Sequence, residues 1–399
     1  MPWKTKANVA EFEKVQPASA VALPPAAQTL CRIAAGLGCA ALVTLAAVPS
    51  AAGAQLRVDP QPVHRFGGDA MLWNGVVALD VDDSLMVVLT ESDPVLHQFS
   101  LSGGNHIRSW GEEGEGPGEF RSSADVALVG RRVYALDTTQ RRVSVFDLGG
   151  RLLLTTPATG LGLPYANRLE HASGDTVVIR SYAPMGDANA LVAWTVEGVA
   201  GTVLSFDDPP EELRLEAPGA PGLTLRPPFS PYPRWTVVSG QLVYWPAHGE
   251  ELQIVGLDGT QTTSIVLPIE DRFEITAGDR EWWFRTGIPT EFRGRRPFEP
   301  LRRVARQTVD FPPHQPLVLE LLGAPSGAVW VKRQTSLSEE SRGQVWDVVD
   351  REGGFVDRIT LPVGHLLMAV LADYVVIRTT TELGSDVVQI HPLLSGSQP

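Results

Sequence analysis

The chain has 399 residues, 43% hydrophobic and 20% charged, which supplies a full-sized core and excludes intrinsic disorder as its general state. Its formal charge is −13, and −15 once residues 1–54 are set aside; so acidic a surface repels phosphate backbones and anionic headgroups and excludes nucleic acid as a partner. Both cysteines, Cys31 and Cys39, fall within that N-terminal segment, so the remainder can hold neither a disulfide framework nor a thiolate metal site.

Residues 33–56 carry no charge and follow Arg32. The apolar part, "IAAGLGCAALVTLAAV", is 16 residues long, short of the roughly 20 that cross a bilayer. It runs into Ala52-Gly53-Ala54, a small-x-small sequence of the kind signal peptidases cut. Residues 1–54 are therefore expected to be an N-terminal extension and cleaved secretory signal, with a mature start near Gln55. The expected location is secreted or periplasmic, with no stable membrane span.

From Gln55 to about residue 279 the chain shows short apolar runs bounded by turn residues, not helical periodicity. The clearest unit, residues 133–156, reads "VYALDTTQRRVSVFDLGGRLLLTT", a meander of hairpins. Equivalent positions recur at Phe99, Phe146, Trp194, Val255, Val349 and Ile390, spaced 47, 48, 61, 94 and 41 residues apart. The spacings nearest 40 to 50 suit one four-stranded sheet each, so six units predict six sheets arranged radially. The sixth unit ends one strand short, whereas "PVHRFGG" (62–68) belongs to no unit. That segment is expected to complete the last sheet against the strand around Val387 and Ile390, removing an open edge.

Between the first two units lies "GEEGEGPGEF", residues 111–120. An acidic metal loop and a structural connector compete here; glycines for positive φ, a stiffening proline and a terminal aromatic favour the connector. Together with "DTTQRRVSVFD" (137–147), this stretch resembles the NHL repeat, with Gln140 where that family carries Asn. The resemblance implies an all-β, six-bladed β-propeller spanning residues 55–399, with Asp137 and Arg142 as a structural pair. It implies no chemistry, because one scaffold carries many activities.

The wide gap between units four and five marks an insertion of about residues 270–316, expected to be partly helical, with a helix over residues 299–309. Nine arginines face five acidic residues between Arg272 and Arg306, with Trp282, Trp283 and Phe284 among them. Trp282, Trp283, Arg293, Arg295 and Arg296 are candidate ligand contacts if the insertion is a lid that reads an anionic group; the same residues are braces if it is only packed. The eight histidines show no helical metal spacing. His171 and His365, each near a first strand, are candidate ligand-binding residues at the axis of the propeller. Asp80, Asp82 and Asp83, in "LDVDDSLMVV", read as a polar hairpin turn.

These readings point to a monomeric binding or interaction module, non-catalytic and without cofactor or bound metal. Its expected partner is a protein or an anionic small molecule. The alternative is a metal-dependent lyase or hydrolase with its site at the mouth of the central channel.

Overall fold

The computed structural model describes residues 55–68, 71, 73, 75–161, 163, 165–181, 189–206, 212–220, 222–268, 272–288, 299–333 and 343–396. The expected signal segment, residues 1–54, lies outside the described residues. Six antiparallel sheets form the ring; five are meanders whose four strands pair in sequence order, and the sixth joins three consecutive strands to two from residues 55–67. Their first strands are Val76–Val81, Ser123–Val129, Ala166–Ser173, Arg234–Val238, Glu320–Gly323 and Leu366–Val370. Each packs against the next, and the sixth packs against the first. The ring is a six-bladed β-propeller, as the repeat spacing predicts. All six marker residues lie on third strands.

Burial explains why the blades alternate so weakly in sequence. The second strand of blade 1, Leu85–Thr90, is buried along almost its whole length because both faces meet neighbouring blades. The outer strand, His106–Trp110, is largely exposed. Six apolar clusters fill the six inter-blade spaces. Between blades 2 and 3, Tyr134 meets Trp194 edge-on with ring centroids 5.5 Å apart.

The connector at residues 111–120 lies where expected, between the outer strand of blade 1 and the inner strand of blade 2. Gly111 has φ +78°. A Cβ there would lie 2.9 Å from the Phe120 ring, so glycine alone fits without displacing the aromatic anchor. Phe120 is buried between Val95 and Phe146, in the space shared by both blades. Asp137 and Arg142 face each other in register; Arg142 holds the connector, while Asp137 holds the residues just after it and its own turn. Asp137 accepts the backbone N–H of Arg121 at 2.6 Å and of Gln140 at 2.7 Å. Arg142 donates to the carbonyl oxygens of Glu115, Gly116 and Glu119. Gln140 reaches the Gly114 carbonyl, so the longer amide still holds the loop.

Closure follows the expected pairing, with His64–Gly67 against the last strand and His64 opposite Ile390. A second N-terminal strand, Gln55–Val58, pairs with the far end of that strand, Leu393 to Gly396. Two strands from the chain start thus share one long final strand, Asp386–Gly396.

Two departures from the meander explain the wide unit spacings. A hairpin, Leu213–Leu215 with Leu223–Leu225, lies between blades 3 and 4. Helices α1 (Ala277–Thr286) and α2 (Glu299–Thr308) lie between blades 4 and 5. α1 begins in a capping box: Thr276 Oγ1 accepts from the Asp279 N–H at 3.2 Å, and Asp279 accepts the Thr276 N–H at 2.8 Å. α2 buries Leu301 and Ala305 and turns Arg303 and Arg306 outward.

Candidate binding site: the channel and the insertion

The six inner strands enclose a channel cavity of about 520 Å³. Its more polar side, blades 1 to 3, contributes Asp80, Asp82, Asp83, Asp125, Arg168 and Glu170; blade 5 adds Glu320 beside Leu322, and blade 6 adds Met368 and Leu371.

Carboxylates on the polar side carry the blades forward around the ring. Asp80 accepts the Leu128 N–H of blade 2 at 2.7 Å. Asp125 accepts the Leu169 N–H of blade 3 at 2.8 Å. Glu170 accepts the Val237 N–H and the Thr236 hydroxyl of blade 4, both at 2.6 Å. Thr236 in turn accepts the Gly323 N–H of blade 5 at 3.1 Å. Each acid thus satisfies an inner-strand donor on the following blade. Burial is the dominant influence on all three. It pushes the Asp80 carboxyl up to about 7 and that of Asp125 to about 6, against backbone hydrogen bonds that pull both down. Burial also raises Glu170, opposed first by the Arg168 guanidinium beside it. Arg168 bonds Glu170 at 3.1 Å and sits 4.8 Å from the Trp235 ring centroid.

Asp82 makes the turn the sequence suggests, its Oδ1 accepting the N–H groups of Ser84 and Leu85 at 2.7 and 2.8 Å. Asp80 does not share that role; it faces the next blade. Asp125 and Glu170 escaped the sequence reading. Their signal is a single acid inside the first strand of a unit, "SADVALV" and "ANRLEHAS".

The two candidate histidines occupy different places. His171 is exposed at the channel wall, its Nε2 3.3 Å from the Gly174 carbonyl. His365 lines a separate cavity with Arg57, Asp59 and His391. Among the described residues, no group of three or more His, Cys, Asp or Glu side chains is arranged to hold a metal ion. Among the same residues, no helix is long and apolar enough to cross a membrane.

The inserted hairpin and the helices build a core of their own, the cap, around Leu215, Trp283, Phe284, Ile288, Leu301 and Ala305. Trp283 is buried, with Phe284 and Phe311 edge-on at 5.4 and 5.7 Å. Trp282 is half-buried at the margin of this core. Two arginines brace it. Arg306 forms a two-pronged bond to Glu281 at 2.7 and 2.8 Å and lies over the Phe284 ring. Arg302 donates to the Arg285 and Ile288 carbonyls. Arg293, Arg295 and Arg296 lie outside the described residues.

No protein-family profile matches this sequence, and no curated protein matches it. Solved structures do. A protein described as exported, from Bacteroides fragilis NCTC 9343, superposes with TM-score 0.51 at 10% identity, covering 85% of this chain and 95% of its own. A member of the DUF4221 family from Bacteroides vulgatus superposes with TM-score 0.52 at 7% identity, covering 86% and 99%. At such identities the likeness concerns architecture alone. The fold defines a six-bladed β-propeller.

Proposed function

We propose that the protein is a secreted or periplasmic binding propeller of the NHL type, non-catalytic, whose ligand seats in the central channel. The uncharged segment after Arg32 and the Ala52-Gly53-Ala54 sequence support export. The connector at residues 111–120, with Gln140 and Arg142 bonded to its carbonyls, supports the NHL assignment.

One observation carries the binding reading: the channel's buried acids are spent on joining blades, with Asp80, Asp125 and Glu170 each bonded to a backbone N–H of the next blade. A group so engaged holds a wall in place and shapes the field inside it. On this wall Asp80, Asp82, Asp83, Asp125, Glu170 and Glu320 outnumber Arg168, and Leu322, Met368 and Leu371 add apolar surface, which suits a ligand with a cationic group and an apolar part. Benzylamine and benzyl alcohol, titrated by calorimetry at 10 and 150 mM NaCl, test this. The amine should bind more tightly, lose affinity as salt rises, and bind more weakly to Asp83→Asn. Equal affinity for the two compounds, or none for either, overturns the reading.

A further inference from the structure

A cluster of guanidinium groups stands beside the channel acids, between blades 3 and 4. Arg234 is the first residue of the inner strand of blade 4. Arg168 lies on the inner strand of blade 3, and Arg180 lies opposite it in register on the second strand, Thr176–Ser181. Two aromatic rings tie these groups together. Arg168 lies over the ring of Trp235, the neighbour of Arg234 in the chain. The Arg234 guanidinium is 5.3 Å from the Tyr232 ring centroid, and that of Arg226 is 3.8 Å from the same ring.

The acids of this neighbourhood are engaged elsewhere. Glu170 bonds Arg168, Thr236 and Val237, and Glu320 bonds Lys332 at 3.2 Å. Arg234 is half-buried, and among its nitrogens only Nε is shut away from solvent without a partner. Nη1 and Nη2 remain accessible, and among the described residues no hydrogen bond or ion pair reaches them. Burial and the Arg180 charge lower the pKa of Arg234; Arg168 adds to that effect and Glu320 opposes it. A cation held among like charges, with its outer nitrogens open, is relieved by an incoming anion.

The donor set selects the anion. A guanidinium presents a planar fork that two oxygens of a carboxylate or phosphate can fill. A carboxylate fills one fork and brings one charge. A terminal phosphate brings three oxygens and a charge of about −1.5 to −2, enough to serve Arg234 and to neutralise the field of Arg168 and Arg180 beside it.

We propose that the cluster of Arg168, Arg180 and Arg234 binds a terminal phosphate group, with Arg234 as its main donor. Arg168 also lines the channel cavity, which puts the bound group at the channel wall. The site does not depend on a cationic channel ligand: Asp82 and Asp83 follow the end of a first strand, whereas Arg234 begins one.

Calorimetric titration with inorganic phosphate, phenyl phosphate and benzoate, at about pH 7.5 and constant ionic strength, tests this. At least one of the two phosphates should bind, about tenfold or more tightly than benzoate. Inorganic phosphate as the tighter ligand marks a site for the free ion, and phenyl phosphate as the tighter marks a site for an ester. Arg234→Met should weaken the binding by about tenfold or more while keeping or raising the melting temperature, since it removes a cation with no bonded counter-charge. Arg131→Gln, at an exposed turn of blade 2, should leave the binding unchanged. Asp83→Asn should not weaken it, whatever the outcome with benzylamine. If Arg234→Met does not fold, Arg180→Gln takes its place, with a loss of about threefold or more expected. Three results overturn the proposal: neither phosphate binds, benzoate binds as tightly as the phosphates, or the cluster variant loses no more affinity than Arg131→Gln.

Discussion

Asp386, at the start of the last strand, accepts the backbone N–H of Val76 at 2.6 Å, joining residues 310 positions apart. Arg378 completes the tie by donating to the Val76 carbonyl at 2.5 Å. Both polar groups of a single first-strand residue are thereby satisfied across the seam between blades 6 and 1. Asp386→Ala should cost about 1–3 kcal/mol, because the Val76 donor is left unpaired in a buried place. Asp386→Asn, which keeps an acceptor, should cost less. Urea unfolding of the three proteins measures the difference.

Removing residues 55–68 should do far more. That deletion takes both strands that pair with the last one and uncovers Val388 and Ile390, which pack with Phe66 in the seam core. A sharp fall in melting temperature, with association through the bared edge, is expected in calorimetry and gel filtration. An unchanged melting curve would contradict the closure.

The channel acids set a pH dependence. Asp80 sits at about 7 and Asp125 at about 6, above the ordinary 3.8, so the native state holds more protons than the unfolded chain between those limits. Their contribution therefore declines as pH rises from about 4 to about 7. His97 acts in the opposite sense: burial lowers it to about 4, so stability falls as pH drops from 6.5 toward 4. Asp80→Asn should flatten the decline above pH 4 and raise stability at pH 8, while Asp80→Ala should lower stability throughout by orphaning the Leu128 N–H. Denaturant midpoints across pH 4–8 separate the two variants.

In the cap, Trp283→Ala should cost about 3–5 kcal/mol of local stability, as large aromatic truncations in packed cores do. Arg306→Ala breaks an exposed, solvent-screened pair with Glu281 and should leave stability nearly unchanged. Limited proteolysis, followed at the cap and at the blades, should show early cleavage for the tryptophan variant alone.

The arginines at 293, 295 and 296 admit a separate check. If they form a lid, replacing all three with alanine should abolish the thermal shift produced by citrate, glucuronate or phosphate esters without lowering the melting temperature. If they brace, the melting temperature should fall. No shift of the parent protein by any of these anions counts against a lid.

The blades were legible because a meander repeats its local signals: Phe146, Trp194 and Ile390 mark third strands without reference to anything distant. The closing strand was legible for a similar reason, since "PVHRFGG" had no unit of its own. α2 announced itself through Pro300, Leu301 and Ala305. α1 did not, because "REWWFR" carries aromatics without helical spacing, and its capping box is sealed by Asp279 where the familiar pattern has Glu or Gln. The inserted hairpin was hidden by its short strands. Asp125 and Glu170 were missed because their partners are backbone groups 44 and 67 positions away.

The shared final strand also has a consequence in time. Synthesis runs from the N-terminus, so Gln55–Val58 and His64–Gly67 emerge before any blade, and their partner, Asp386–Gly396, emerges more than 300 residues later. Blades 1 to 5 can form in order as their segments appear, each a local meander. The ring itself cannot shut until that last strand has been made. Through that whole interval the first two strands wait without a mate, and a chain halted anywhere before Asp386 remains an open arc.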